Sequence, residues 1–157
     1  MGSKLSTKQQ SDRFLDFNIG LNPIDKKDIL MVFLLLILSL PLSFFAAHLP
    51  DFRSFYLKHS LTPIGVFNRA FRMFITELFF RGFLLFILSK RFGKISIILQ
   101  DIPYVLIHIG KPFLEIPYSA IAGIIFGSIN YRSKSFLPSF LLHAIGSEIF
   151  IIMVHFI

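Results

Sequence analysis

Apolar residues in this chain gather into long runs instead of recurring at one position in two or one in three to four, the pattern of helices surrounded by lipid or by other protein. Residues 29–49 carry no formal charge and, at about 1.5 Å per residue, reach across a hydrocarbon core of roughly 30 Å, with Pro41 a candidate kink. Residues 70–88 form a second run despite Arg72, Glu77 and Arg81. A shorter third, 95–109, contains Asp101, Pro103 and His108, and spans only if its flanks contribute or if it is partly re-entrant. Residues 117–129 and 136–157 complete the series. The pattern predicts an all-α fold, a polytopic transmembrane helix bundle of about five spans, with 1–28 a polar arm and 29–157 the transmembrane domain.

The intervening segments fit that reading. Residues 51–69 combine Arg53, Lys58, Pro63 and Gly65 with Phe52, Phe55, Tyr56 and Phe67, a composition suited to the headgroup level. Residues 89–94 make a basic turn, with Gly93 to break the helix. Ser119, Gly123 and Gly127 recur every four residues, a small-residue face that lets another helix backbone approach closely.

Composition reinforces the solvent assignment: 54% of residues are hydrophobic and 16% charged, so water is not the main solvent and the lipid bilayer is the first partner. The formal net charge is +7, yet no basic face is interleaved with aromatics as nucleic-acid binding would need. The basic residues instead concentrate in the arm and in the turns at 89–94 and 131–135, which places the N-terminus in the cytoplasm. No cleavage signal follows the first run, so it is expected to remain as an anchor in a bacterial inner or plasma membrane. Met1-Gly2-Ser3-Lys4-Leu5-Ser6 fits an N-myristoylation pattern that recurs often by chance. The chain has no cysteine, which excludes disulfides and thiolate metal sites.

The chemistry lies in polar groups inside the apolar runs. A charged side chain near a bilayer centre costs about 2.5–3.5 kcal/mol even on lenient scales, so Glu77, Arg81, Asp101 and Glu148 should face one another or a wet cavity. His108 and His143 join them and need hydrogen-bond partners. Glu77 and Arg81, four apart, share one helix face and can pair, an arrangement equally at home in helix packing. Asp101, two turns before His108, either orients a partner or marks the cytoplasmic edge. His48, His59 and His155 fall at run ends or in the connection and receive no role.

Taken in order, Glu77-Leu78-Phe79-Phe80-Arg81-Gly82, Tyr104-x-x-x-His108, and His143 after a Gly127-containing helix and a short basic turn resemble the CAAX protease and bacteriocin-processing (CPBP, or Abi) family of intramembrane endopeptidases. The likeness covers 70–157. That family is marked by Glu-Glu-x-x-x-Arg, an aromatic-x-x-x-His and a His-x-x-x-Asn. The resemblance implies hydrolysis of a peptide bond in a membrane-associated or lipidated protein, or in a small peptide precursor, by carboxylate and histidine activation of water. It places His108 as the water-activating partner, His143 as the oxyanion donor, and Glu77 with Arg81 as the second Glu and the Arg of the first motif.

Two positions depart from the pattern. Thr76 stands where the first glutamate would be and cannot act as a base, and Ser147 stands in place of the asparagine, with a shorter-reaching hydroxyl donor. Three readings follow: Glu77 serves as base although it points about 100° from its predecessor; Glu148, five residues after His143, compensates; or the chain keeps the fold and acts as an immunity, scaffold or accessory factor. No cofactor is expected. Zinc on two histidines and a carboxylate is the alternative, but no paired ligand spacing supports it. Intramembrane charges also mark ion pathways, against which stands the lack of an internal repeat. His108 falls toward the outer end of its run and His143 near the inner start of its own, so the two are expected to differ in depth by a turn or more unless a helix is tilted.

Overall fold

In the computed structural model, residues 20–157 are described; most of the polar arm, including the myristoylation pattern, lies outside them. Among the described residues the regular structure is helical, apart from one isolated bridge between Leu21 and Ser135.

Helix α1 (Lys26–Ala47) starts where Asp25 accepts a hydrogen bond from the Asp28 backbone N–H at 2.7 Å, half of a reciprocal capping box. That bond holds the exposed Asp25 carboxyl below its ordinary range. The helix is apolar all round and leaves Phe33, Leu34, Leu38 and Phe45 uncovered, as a lipid-facing helix does. Pro41 is accommodated inside it. Helix α2 (Pro50–Tyr56) is short, opens on proline, and sets Phe52 and Tyr56 edge-on against Phe150.

Helix α3 (Pro63–Glu77) begins with Thr62 capping the Gly65 N–H. Without a break, the chain then winds as a π-helix over Leu78–Leu84 and returns to α-helix in α4 (Leu85–Phe92). Gly93, at φ 55°, ends α4, a conformation that glycine adopts without steric cost. A single 3₁₀ turn (Gly93–Ile95) leads into α5 (Ser96–Leu106). After a turn through Gly110 at φ 94° come α6 (Glu115–Ser133) and α7 (Leu137–Phe156), joined across Lys134.

Helix α5 packs along α6, and α7 packs against both α1 and α3. The small-residue face of α6 is where α5 approaches: a Cβ on Gly123 would lie 1.7 Å from Asp101 Oδ1, and one on Gly127 2.9 Å from Gln100 Nε2. The expected close approach is therefore present, and Asp101 occupies it.

Among the described residues two helices, Lys26–Ala47 and Leu137–Phe156, are long and apolar enough to cross a membrane. The other runs differ from them for physical reasons. The 70–88 run is divided by the π segment and carries Arg72, Glu77 and Arg81; α5 has 11 residues and spans only about 16 Å; α6 is diluted by small and polar residues. The residues before α1 and its first turn are both docked: Phe136 N–H donates to the Gly20 carbonyl at 2.8 Å, and Arg132 pairs with Asp28 at 2.7 Å.

Candidate active site

Glu77 is the last residue of α3, and its carboxylate is fully buried. Arg81, four residues on and inside the π segment, is also at zero exposure and places Nη1 3.3 Å from Glu77 Oε1. The π-helix falls where the motif sits, as single-turn π segments often do at functional sites. Arg81 is sandwiched as well as paired: its guanidinium carbon lies 3.6 Å from the Tyr104 ring centroid, a stacking distance at which a desolvated cation–π contact contributes on the order of 2 kcal/mol.

From α7, His143 brings Nδ1 to 2.8 Å from the same Glu77 Oε1. An ionised carboxylate only accepts, so Nδ1 carries the hydrogen and Nε2 lies on the opposite edge of the ring. His143 is 19% exposed while Glu77 is sealed, so the imidazole stands between the buried carboxylate and the open side of the site.

His108 lies just past α5 and is buried, with Nδ1 2.9 Å from the Tyr104 carbonyl. A carbonyl also only accepts, which fixes hydrogen on Nδ1 and, in the neutral ring, leaves Nε2 bare. Tyr104 joins the two imidazoles: its ring centroid is 4.8 Å from that of His108 and 6.5 Å from that of His143.

The other candidates are placed differently. Thr76 is half-buried and turns its hydroxyl back to the Arg72 carbonyl at 2.9 Å. Ser147 is half-buried one turn after His143, on the same face of α7. Glu148 is held by Arg69, with Nε to Oε1 at 2.8 Å and Nη2 to Oε2 at 2.6 Å, while Arg69 Nη1 donates to the Ser60 carbonyl. Both oxygens of Glu148 are thereby engaged in a clamp between α3 and α7, apart from the Glu77–His143 contact. Asp101 is buried against Gly123 with Oδ1 unpartnered. His48, His59 and His155 bond to carbonyls within four residues.

Three features escaped the sequence: the π segment, the Arg69–Glu148 clamp, and a polar pair, Asn130 and Ser139, fully buried with Asn130 Nδ2 2.5 Å from Ser139 Oγ. Glu148 carried a signal for the second, since a carboxylate in an apolar run demands a cation. Outside the apolar core, Tyr56 donates to Glu115 at 2.6 Å and Lys111 pairs with the same carboxylate at 2.7 Å; burial and that carboxylate push the Tyr56 hydroxyl well above its ordinary range. Among the described residues no three His, Cys, Asp or Glu side chains converge as metal ligands.

A family model described as Type II CAAX prenyl endopeptidase Rce1-like matches residues 58–147. The matched stretch contains Glu77, Arg81, His108, His143 and Ser147 and stops one residue short of Glu148. No curated protein and no solved structure matches the chain.

Proposed function

The chain belongs to the Rce1-like family of type II CAAX prenyl endopeptidases, a family of membrane-embedded proteases, and from that premise we propose that it is an intramembrane endopeptidase whose reacting centre is formed by Glu77, His143 and His108. Its substrate is a peptide bond in a membrane-associated or lipidated protein, or in a small peptide precursor. The observation that carries the reading is the 2.8 Å contact between His143 and Glu77. It joins two motif residues 66 positions apart in a region where an unpaired charge would be costly.

The tautomers assign the work. His108, with hydrogen on Nδ1, offers the bare Nε2 to a water; that nitrogen takes one proton as the water oxygen attacks the scissile carbonyl carbon. The carbonyl oxygen gains the negative charge. When protonated, His143 donates through both nitrogens, Nδ1 to Glu77 and Nε2 toward the new oxyanion, and the Ser147 hydroxyl supplies a second donor from the same face. The proton on His108 passes to the departing amine as the C–N bond breaks. Glu77, backed by Arg81, balances the His143 charge, so the first-motif glutamate replaced by Thr76 is not required as a base.

The five apolar runs cross the bilayer with the N-terminus in the cytoplasm of a bacterial cell, and the third run completes its crossing only with the residues flanking α5. The absence of native cysteine makes this easy to test: a cysteine at Lys94 should label from the cytoplasmic side and one at Lys58 from the outside. Peptidase function is tested by cleavage of prenylated and unmodified peptides in liposomes. His108→Ala and His143→Ala should lose cleavage, and full activity in both would leave an accessory role as the better reading.

A further inference from the structure

His108 stands in a tight turn and not on a helix. Beyond Leu106 the chain is held by short-range bonds: His108 N–H donates to the Val105 carbonyl at 2.9 Å, Ile109 N–H to Leu106 at 3.2 Å, and Lys111 N–H to the His108 carbonyl at 3.2 Å. The chain reverses at Gly110, with φ 94°. Single turns of this kind are the easily displaced parts of a fold unless side chains tie them down. Here the tie is Glu115, the first residue of α6 and a buried carboxylate. Its Oε1 accepts from Lys111 Nζ at 2.7 Å and its Oε2 from the Tyr56 hydroxyl at 2.6 Å, so both oxygens are engaged. Tyr56 closes α2 and, with Phe52, lies edge-on against Phe150 of α7, at ring-centroid distances of 5.0 and 5.8 Å. Helix α7 also carries His143.

We infer that Glu115 is a positioning residue for His108: by holding Lys111 and Tyr56 together it sets the turn on which the imidazole sits and ties that turn to the helix bearing His143. The inference rests on the reading of His108 as part of the reacting centre. The path is continuous. Lys111 bonds to His108 through its backbone and to Glu115 through its side chain, while the ring itself is fixed by the Nδ1 bond to the Tyr104 carbonyl at 2.9 Å. Hydrogen bonds to an ionised acceptor are roughly twice as strong as neutral ones, so one buried carboxylate gripping a cation and a phenol makes a stiff junction. Loss of that carboxylate releases both tethers at once. Stiffness matters here because a general base must keep its bare nitrogen within hydrogen-bond reach of the water, and a displacement of about 1 Å is enough to lower a rate on the order of a hundredfold. Tyr56, Lys111 and Glu115 all lie outside the motifs, so their role is separate from the motif chemistry.

The test is steady-state cleavage in liposomes by the full chain, at a temperature where each variant is folded. Glu115→Ala should lower kcat about 10- to 100-fold with KM unchanged, because the reacting geometry is disturbed and peptide binding is not. Lys111→Met should lower kcat in the same direction, and Lys111→Arg, which can still donate to Oε1, should recover most of the rate. Tyr56→Phe removes one hydroxyl and should lower kcat less, and the Tyr56→Phe/Glu115→Ala double variant should be no slower than Glu115→Ala alone, as expected of residues that act as one unit. Wild-type kcat in Glu115→Ala, an effect on KM alone, or a Lys111→Arg variant as slow as Lys111→Met overturns the inference. Should Glu115→Ala fail to fold, the Lys111 variants decide, since that side chain is 31% exposed and tolerates replacement: a slow methionine and a near-wild-type arginine variant support the inference, and two wild-type rates overturn it. His108→Ala separates the two readings. If it is inactive while Glu115→Ala is unimpaired, only the positioning role falls, whereas full activity in His108→Ala removes the proposed function itself.

Discussion

Replacing Glu148 with alanine would leave Arg69 with a guanidinium only 5% exposed and without its carboxylate. Two charge-assisted bonds, at 2.8 and 2.6 Å, would be lost, and the bond to the Ser60 carbonyl would remain. Removing one partner of a buried ion pair costs about 3–5 kcal/mol, because the remaining charge stays desolvated. Glu148 is 18% exposed, so water reaches the vacated end and the lower figure applies: about 3 kcal/mol, on the order of a hundredfold in the folded-to-unfolded ratio. The assay is reversible denaturant unfolding in detergent micelles, run beside peptide cleavage at a temperature where the variant is folded. Stability should fall while kcat stays near wild type. An Arg69→Met/Glu148→Leu pair should recover most of the loss, since apolar replacements of a buried ion pair are often neutral. Unchanged stability with cleavage reduced a hundredfold or more would refute the clamp and return Glu148 to the chemistry.

The remaining predictions concern neighbouring positions. Gly123→Ala should destabilise the protein by about 1–3 kcal/mol in the same unfolding assay, because its Cβ falls onto the buried Asp101 carboxyl, which must shift to make room. Thr76→Ala should change cleavage by less than about twofold, given that the hydroxyl serves only the Arg72 carbonyl within its own helix. Treatment with a strong chelator should leave cleavage intact; loss of activity restored by zinc would show that His108, His143 and Glu77 act as ligands instead.

The helical class, the Glu77–Arg81 pairing and the close approach at Gly123 and Gly127 were legible because each follows from local periodicity: helix faces repeat every three or four residues, and small side chains admit a neighbour. The break at Gly93 was legible for a similar local reason. The order of the motifs also made His108 and His143 candidates for one site, and Tyr104 lies against both rings. What stayed hidden depends on tertiary contacts. Arg69 read as part of a headgroup-level connection, and only the packing of α3 on α7 brings it to Glu148. The π segment is a change of hydrogen-bond register over Leu78–Leu84, and no residue pattern in the sequence marks it. Asn130 and Ser139 carry no signal of their own in the sequence, since only the packing of α6 on α7 brings them together.

The central claim, that Glu77 and His143 act as a unit across α3 and α7, is tested most directly by a double-mutant cycle on kcat/KM for peptide cleavage in liposomes. Glu77→Gln and His143→Gln should each cause a large loss, and the double variant should be no worse than the slower single variant, because residues that act together are not additive. Losses that multiply, or wild-type cleavage in either single variant, would contradict it.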